Sequence, residues 1–181
     1  MADYCNNELI VKVNKEWYKR QFLSREDNIS RGYNVPTADK VLEIFKNYVA
    51  TETEGEDGPY VIVFDFKKIM PEPIGISEKI IDWYDWRARR WSVRCDYPED
   101  DSLIDFTEGE DGKIYYKFTT PWNPPYCIFE EVVKIFPMLI LKVRMTDDDG
   151  LVEDYLTYSL DKIGMIEVRK GNKSDFDKEC V

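Results

Sequence analysis

Lys113-Ile-Tyr-Tyr-Lys-Phe-Thr-Thr120, Asn123-Pro-Pro125, the stripe Phe129, Val132, Val133 and Phe136, then Pro137 and Leu139-Ile-Leu-Lys-Val-Arg-Met145 decide the fold. They read as a strand, a helix and a second strand. Aromatic and polar residues alternate over 113–120, the period of a strand with one buried face. Pro124 and Pro125 suit the first turn of a helix, where a missing N–H costs nothing. The four stripe residues recur at helical spacing, and Pro137 stops the helix.

Working outward toward the C-terminus, Asp147-Asp-Asp-Gly150 is a hairpin signal, with Val152–Tyr158 as the returning strand. Ile163–Val168 adds an edge strand. The polar tail 170–181 is expected to fray. Toward the N-terminus, Glu108–Gly112 is a hairpin loop, Leu103–Phe106 a short strand and Pro98–Ser102 an acidic turn. Residues 90–97 read as a strand. Ser77 caps a helix over 78–88, with Glu78 in its first turn. Residues 60–66, Tyr-Val-Ile-Val-Phe-Asp-Phe, read as a strand, ended by Pro71-Glu-Pro73.

From residue 60 the order is strand, helix, strand, strand, helix, strand, then a hairpin. This predicts an α+β ferredoxin-like sandwich, an antiparallel sheet with helices mainly on one face. The chain is expected to be one domain. Residues 60–169 would be the core and 170–181 the tail. Residues 1–59 would be an N-terminal elaboration: a strand at 8–13, an ambiguous stretch at 14–35, a helix opening at Pro36-Thr37 and an acidic mobile loop at Thr51–Pro59. Trp17, Tyr18, Phe22 and Leu23 could share a helical face within the ambiguous stretch. Val41, Leu42, Phe45, Tyr48 and Val49 give the later helix its core stripe.

Composition narrows the chemistry. The 181 residues carry a net charge of −11, and 14% are aromatic. Such a surface repels phosphate backbones, so non-specific nucleic-acid binding is disfavoured. There is no histidine, which removes Ser-His-Asp and Cys-His catalysis and the usual zinc ligand. Cys5, Cys95, Cys127 and Cys180 form no CxxC pair, so structural zinc is not expected. No cofactor is expected. Met1–Asn7 is short and polar and does not read as a signal peptide, and no apolar run reaches membrane-spanning length. The expectation is a cytoplasmic protein with reduced thiols.

Four stretches resemble the Api92-like family, a bacterial family of unknown function met on plasmids, phages and pathogenicity islands. Tyr4-Cys-Asn-Asn-Glu-Leu9 is similar to the family's Trp-Cys-x-Asn-x-Leu start. Phe66-Lys-Lys-Ile-Met-Pro-Glu-Pro73 is similar to Phe-x-x-x-x-Pro-x-Pro. Asp82-Trp-Tyr-Asp-Trp-Arg87, running to Trp91-Ser-Val-Arg94, is similar to Trp-Tyr-x-Trp leading into Trp-Gly-Thr-Lys-Trp. Phe118-Thr-Thr-Pro-Trp-Asn-Pro-Pro125 with Phe136-Pro137 is similar to Phe-x-Thr-Ala-Trp-x-Pro-Pro followed by Phe-Pro. The resemblance implies a ferredoxin-like domain and no particular reaction. One departure stands out: Ser92-Val-Arg-Cys95 replaces the family's Gly-Thr-Lys-Trp, so the glycine and the second tryptophan are lost.

The candidate binding residues are Trp83, Trp86, Arg87, Arg90, Trp91, Arg94 and Trp122. Arginine forks bind phosphate or carboxylate, and indole faces stack on bases or cations. The opposing reading has the tryptophans filling the core and the arginines paired with the abundant carboxylates. Trp122 precedes a helix N-terminus, an end that favours anions; it could equally plug a rigid turn. Asp65 lies within an apolar run and could face solvent. Three functions are open. The first is a non-catalytic binding or accessory protein of a bacterial mobile element, taking a protein or a small anionic ligand. The second is an acidic nucleic-acid mimic occupying a host or defence protein. The third is a histidine-free enzyme acting on a nucleotide-like substrate, with a deep pocket at Asp65 or Asp85.

Overall fold

The computed structural model describes residues 4–18, 20, 36–55, 58–73, 80–93, 105–109 and 112–179. Its main sheet has six antiparallel strands: β1 (Tyr4–Val13), β4 (Asp105–Gly109), β5 (Lys113–Pro121), β6 (Leu139–Asp147), β7 (Glu153–Leu160) and β8 (Ile166–Lys170). Their order is β4-β5-β1-β6-β7-β8. The first four form a ferredoxin-like sheet, and β7 and β8 extend it at one edge.

The founding strand is β1, not residues 60–66. Tyr4–Val13 lies at the centre, paired along its length with β5 and β6. Cys5, Asn7, Leu9, Val11 and Val13 face the core, and all are buried. The sequence 60–66 is apolar for another reason. Its first part is β3 (Gly58–Ile62), which pairs only with β2 (Thr51–Gly55) in a separate two-stranded sheet. Its second part dives into the core through Phe64 and Phe66, both buried. Thus 4–13 belongs to the core rather than to an elaboration, and the described residues of the acidic stretch expected as a loop, 51–55 and 58–59, lie in paired strands.

Helices α1 (Lys15–Tyr18), α2 (Ala38–Val49), α3 (Phe66–Ile69), α4 (Ile80–Arg90) and α5 (Tyr126–Ile135) follow in chain order among these strands. Thr37 caps α2 by accepting the Lys40 N–H at 3.2 Å. The stripe Val41, Leu42, Phe45 and Val49 is buried as the spacing predicts. Ile128, Phe129, Val132 and Val133 bury the inner face of α5. Both stripes join one core cluster with the inward residues of the sheet.

Asp65 has a structural position. It caps α3, accepting the Lys67 N–H at 2.8 Å and the Thr51 hydroxyl at 2.6 Å. The strand expected at 90–97 is absent at its start: α4 runs to Arg90, and the Trp91 N–H still bonds the Arg87 carbonyl at 2.7 Å. Trp91 then ends the helix as a buried plug. Residues 94–97, Ser77, Pro98–Ser102, and Phe22 and Leu23 lie outside the described residues.

The β6–β7 turn forms as expected, with Gly150 at φ 66°, where its N–H reaches the Asp147 carbonyl at 3.1 Å. The tail does not fray over its described part. Asn172 caps α6 (Lys173–Asp177), accepting the Asp175 N–H at 3.0 Å. Phe176 is buried on Ile10 and Tyr155, on the sheet face opposite α2 and α5. A polar sequence hides a single aromatic anchor.

No described helix is long and apolar enough to cross a membrane.

Candidate functional site

The last turn of α4 carries Arg87, Arg89 and Arg90, where positive charge suits the carbonyl end of a helix. The three arginines have different surroundings. Arg87 is only 7% exposed. Its Nε donates to Glu72, within the Pro71-Glu-Pro73 stretch. Its guanidinium carbon lies 4.4 Å from the Trp83 ring centroid and 5.0 Å from that of Trp91. Arg89 is exposed, 4.0 Å from Asp85, and Arg90 is exposed. Arg94 lies outside the described residues.

The tryptophans also divide. Trp91 is fully buried, and its Nε1 donates to the Met70 carbonyl at 3.0 Å. Trp86 is half-buried and meets Trp91 edge-on at 5.6 Å. Trp83 is half-buried against Tyr84. Trp122 is 46% exposed. Of the expected binding residues, then, Arg87 meets both Trp83 and Trp91, with Trp86 on Trp91. Arg90 and Trp122 face solvent.

Trp122 is held by a buried polar network that sequence reasoning missed. Asn7, 1% exposed, points inward from the centre of β1. Its Nδ2 donates to the Cys5 carbonyl at 3.1 Å, the Phe118 carbonyl at 3.3 Å and the Thr120 hydroxyl at 3.0 Å. The Thr120 hydroxyl donates in turn to the Asn123 carbonyl at 2.8 Å. These bonds pin both sides of Trp122, whose backbone stands at φ 62°. A left-handed tryptophan costs about 1–2 kcal/mol and persists only where its surroundings enforce it. The available signal was the core-facing register: Asn7 and Thr120 sit where the alternation asks for apolar residues.

Ser92 is the other left-handed non-glycine residue among those described, at φ 68°. It occupies the position where the Api92-like pattern has glycine. Its backbone stands in the conformation that favours glycine, the residue of that pattern at this position. Its hydroxyl lies 3.1 Å from Cys127 Sγ, in the first turn of α5. Ser92 and Trp122 thus both adjoin the start of that helix.

The family-like stretches converge here. Phe66 packs on Trp91 and on Phe118, each with ring centroids 6.0 Å apart, and Phe118 packs on Phe129 at 6.4 Å. Cys5 is buried beside Asn7. Burial, then the charges of Asp147 and Asp148, push its thiol up to about 11, so it is a thiol rather than a thiolate at neutral pH. Among the described residues no three His, Cys, Asp or Glu side chains are grouped to hold a metal.

The fold is similar to that of a protein api92 from Yersinia pseudotuberculosis, of family-model DUF1281, solved by crystallography. The TM-score is 0.55 at 9% sequence identity, covering 95% of this chain and 99% of that one. No protein-family model and no curated protein matches the chain.

Proposed function

We propose that this chain is a non-catalytic, Api92-like binding protein that engages a protein partner through the exposed ring of Trp122. Of the other expected recognition residues, Arg90 is exposed and Trp83 and Trp86 are half-buried. The Api92-like stretches and the shared fold support the family assignment. The same resemblance is what supports a mobile-element setting.

One observation carries the reading. A tryptophan is kept 46% exposed, in a left-handed conformation, by a buried asparagine network. Tryptophan is the residue most enriched at binding hot spots, and a rigid, pre-positioned ring loses little entropy on docking. Arg87, by contrast, is committed to Glu72 and two rings, so it belongs to the scaffold. Mimicry of nucleic acid is less favoured. The outer face of strands β1, β5 and β6 carries Lys12, Lys113, Lys117, Lys142 and Arg144 against Glu8 alone.

The test compares full-length chains in affinity capture from the producing cells. Trp122→Ala should keep the circular dichroism and melting temperature of the parent and lose a defined partner. Arg90→Glu should weaken the same partner. A captured set that is identical for parent and Trp122→Ala would overturn the assignment.

A further inference from the structure

The basic face of the sheet has a resident ligand, and it is the chain's own tail. Lys12 and Lys142 both reach Glu179 Oε1, the latter at 2.8 Å. Lys113 lies 3.4 Å from Oε2 and donates to the Glu179 carbonyl at 2.8 Å. The Tyr115 hydroxyl donates to the same carbonyl at 2.7 Å. Three residues earlier, Phe176 fills a pocket of Ile10 and Tyr155, with Tyr115 alongside and the Tyr155 ring 5.7 Å away.

The seat is built by non-local pairing. Lys12 and Lys113 are direct cross-strand partners, and Lys142 lies opposite Ile10 on the other side of β1. Like charges placed opposite one another repel. The cluster therefore calls for an anion, on a face far more basic than a chain of net charge −11 would suggest. The occupant is lightly attached. Phe176 is the one buried side chain of α6, and a five-residue helix has no stability of its own. Such an element opens at a small fraction of the cost of global unfolding.

We propose that this face is a binding site for an acidic peptide carrying an aromatic residue three positions before a carboxylate, and that residues 172–179 occupy it in cis. The aromatic residue enters the Ile10–Tyr155 pocket, and the carboxylate takes the three lysines. A peptide fits better than a nucleic acid. The observed occupant is a peptide, and the remaining surface still repels a polyanion when the tail moves aside. The site lies at the opposite end of the sheet from Trp122, so its test does not depend on the function proposed above.

The experiment uses full-length protein and a fluorescein-labelled peptide, Asn-Lys-Ser-Asp-Phe-Asp-Lys-Glu, read by anisotropy. The parent should bind weakly, because its tethered tail competes at a millimolar-scale effective concentration. The variant Phe176→Ala/Glu179→Gln should bind at least about tenfold more tightly. Adding Lys12→Gln and Lys142→Gln, or replacing the probe's glutamate by glutamine, should reverse that gain. Glu179→Gln alone keeps the aromatic anchor and guards against misfolding of the double variant; it should show a smaller gain in the same direction. No gain in either variant, with circular dichroism unchanged, would overturn the proposal. So would tighter binding of a polythymidine oligonucleotide than of the peptide.

Discussion

Arg87 lies on the face of Trp91: its guanidinium carbon is 5.0 Å from the centroid of a ring with no solvent exposure. Trp83 covers the other approach at 4.4 Å, and Glu72 takes the Nε donor. An arginine so enclosed ties α4 to the Pro71-Glu-Pro73 segment. Replacing it with alanine removes the cation–π contacts and leaves Glu72, itself 18% exposed, without this partner. Arg87→Ala should cost about 2–4 kcal/mol in urea unfolding, and Arg87→Lys should recover only part of that, because an ammonium lacks the planar fork. A loss below about 0.5 kcal/mol would return Arg87 to the pool of ligand-binding residues.

Glycine should improve position 92. At φ 68° a side chain is strained and glycine is not. The hydroxyl contact with Cys127 is a weak one to lose. Ser92→Gly is expected to raise stability by about 0.5–1 kcal/mol, and Ser92→Val to lower it. Thermal unfolding of the three proteins ranks them.

Asn7 supplies the bonds that fix the Trp122 turn. Asn7→Ala leaves a gap in a packed layer and withdraws three donor contacts. A stability loss of about 2–3 kcal/mol is expected, with faster quenching of Trp122 by acrylamide. Unchanged quenching would show that the proline-bounded turn holds Trp122 without the network.

Acid should release the tail before it unfolds the sheet. Burial alone would raise the Glu179 carboxyl, but hydrogen bonds and charge from Lys12 and Lys142 outweigh it and bring the group down to about 2. A depressed carboxyl stabilises docking fully above its ordinary value of 4.5 and loses that stabilisation as pH falls toward 2. Hydrogen exchange at 172–179, corrected for intrinsic rates, should therefore accelerate between about pH 4.5 and 2. Glu179→Gln should abolish the pH step.

Cys5 should resist alkylation in the native protein. It is 7% exposed, and its thiol is pushed up to about 11. Iodoacetamide at pH 8 followed by peptide mass mapping should leave it unmodified, with labelling appearing only in denaturant.

Much of the sheet was readable from residues 113–160. There the strands alternate, the helix has a stripe and the turns carry their own proline and glycine signals. Each is a local pattern with a local physical cause. The same locality misled the reading of 60–66. The apolar run 60–66 predicts a core strand, whereas its end is apolar because Phe64 and Phe66 pack inward beyond β3. The strand predicted over 8–13 begins at Tyr4 and is central; Asn7 interrupts its apolar alternation, and besides the nearby Cys5 carbonyl it bonds Phe118 and Thr120, more than a hundred residues away.

The candidate site divides along the same line. The residue types in the Trp/Arg segment were plain, but their exposure was not. Arg87 is enclosed by Glu72 and Trp91, and among the described arginines and tryptophans of the segment only Arg89, Arg90 and the half-buried Trp83 and Trp86 are left toward solvent. The tail is the sharpest case. Its composition is polar, yet one phenylalanine and one glutamate dock it. The sequence by itself determined where the chain turns, which faces of its regular segments are apolar, and which catalytic chemistries lack residues. Only the tertiary structure decided that β1 is central, that Arg87 is spent inside, and that three lysines from three strands meet one carboxylate. Those outcomes depend on register between distant strands, which no local periodicity encodes.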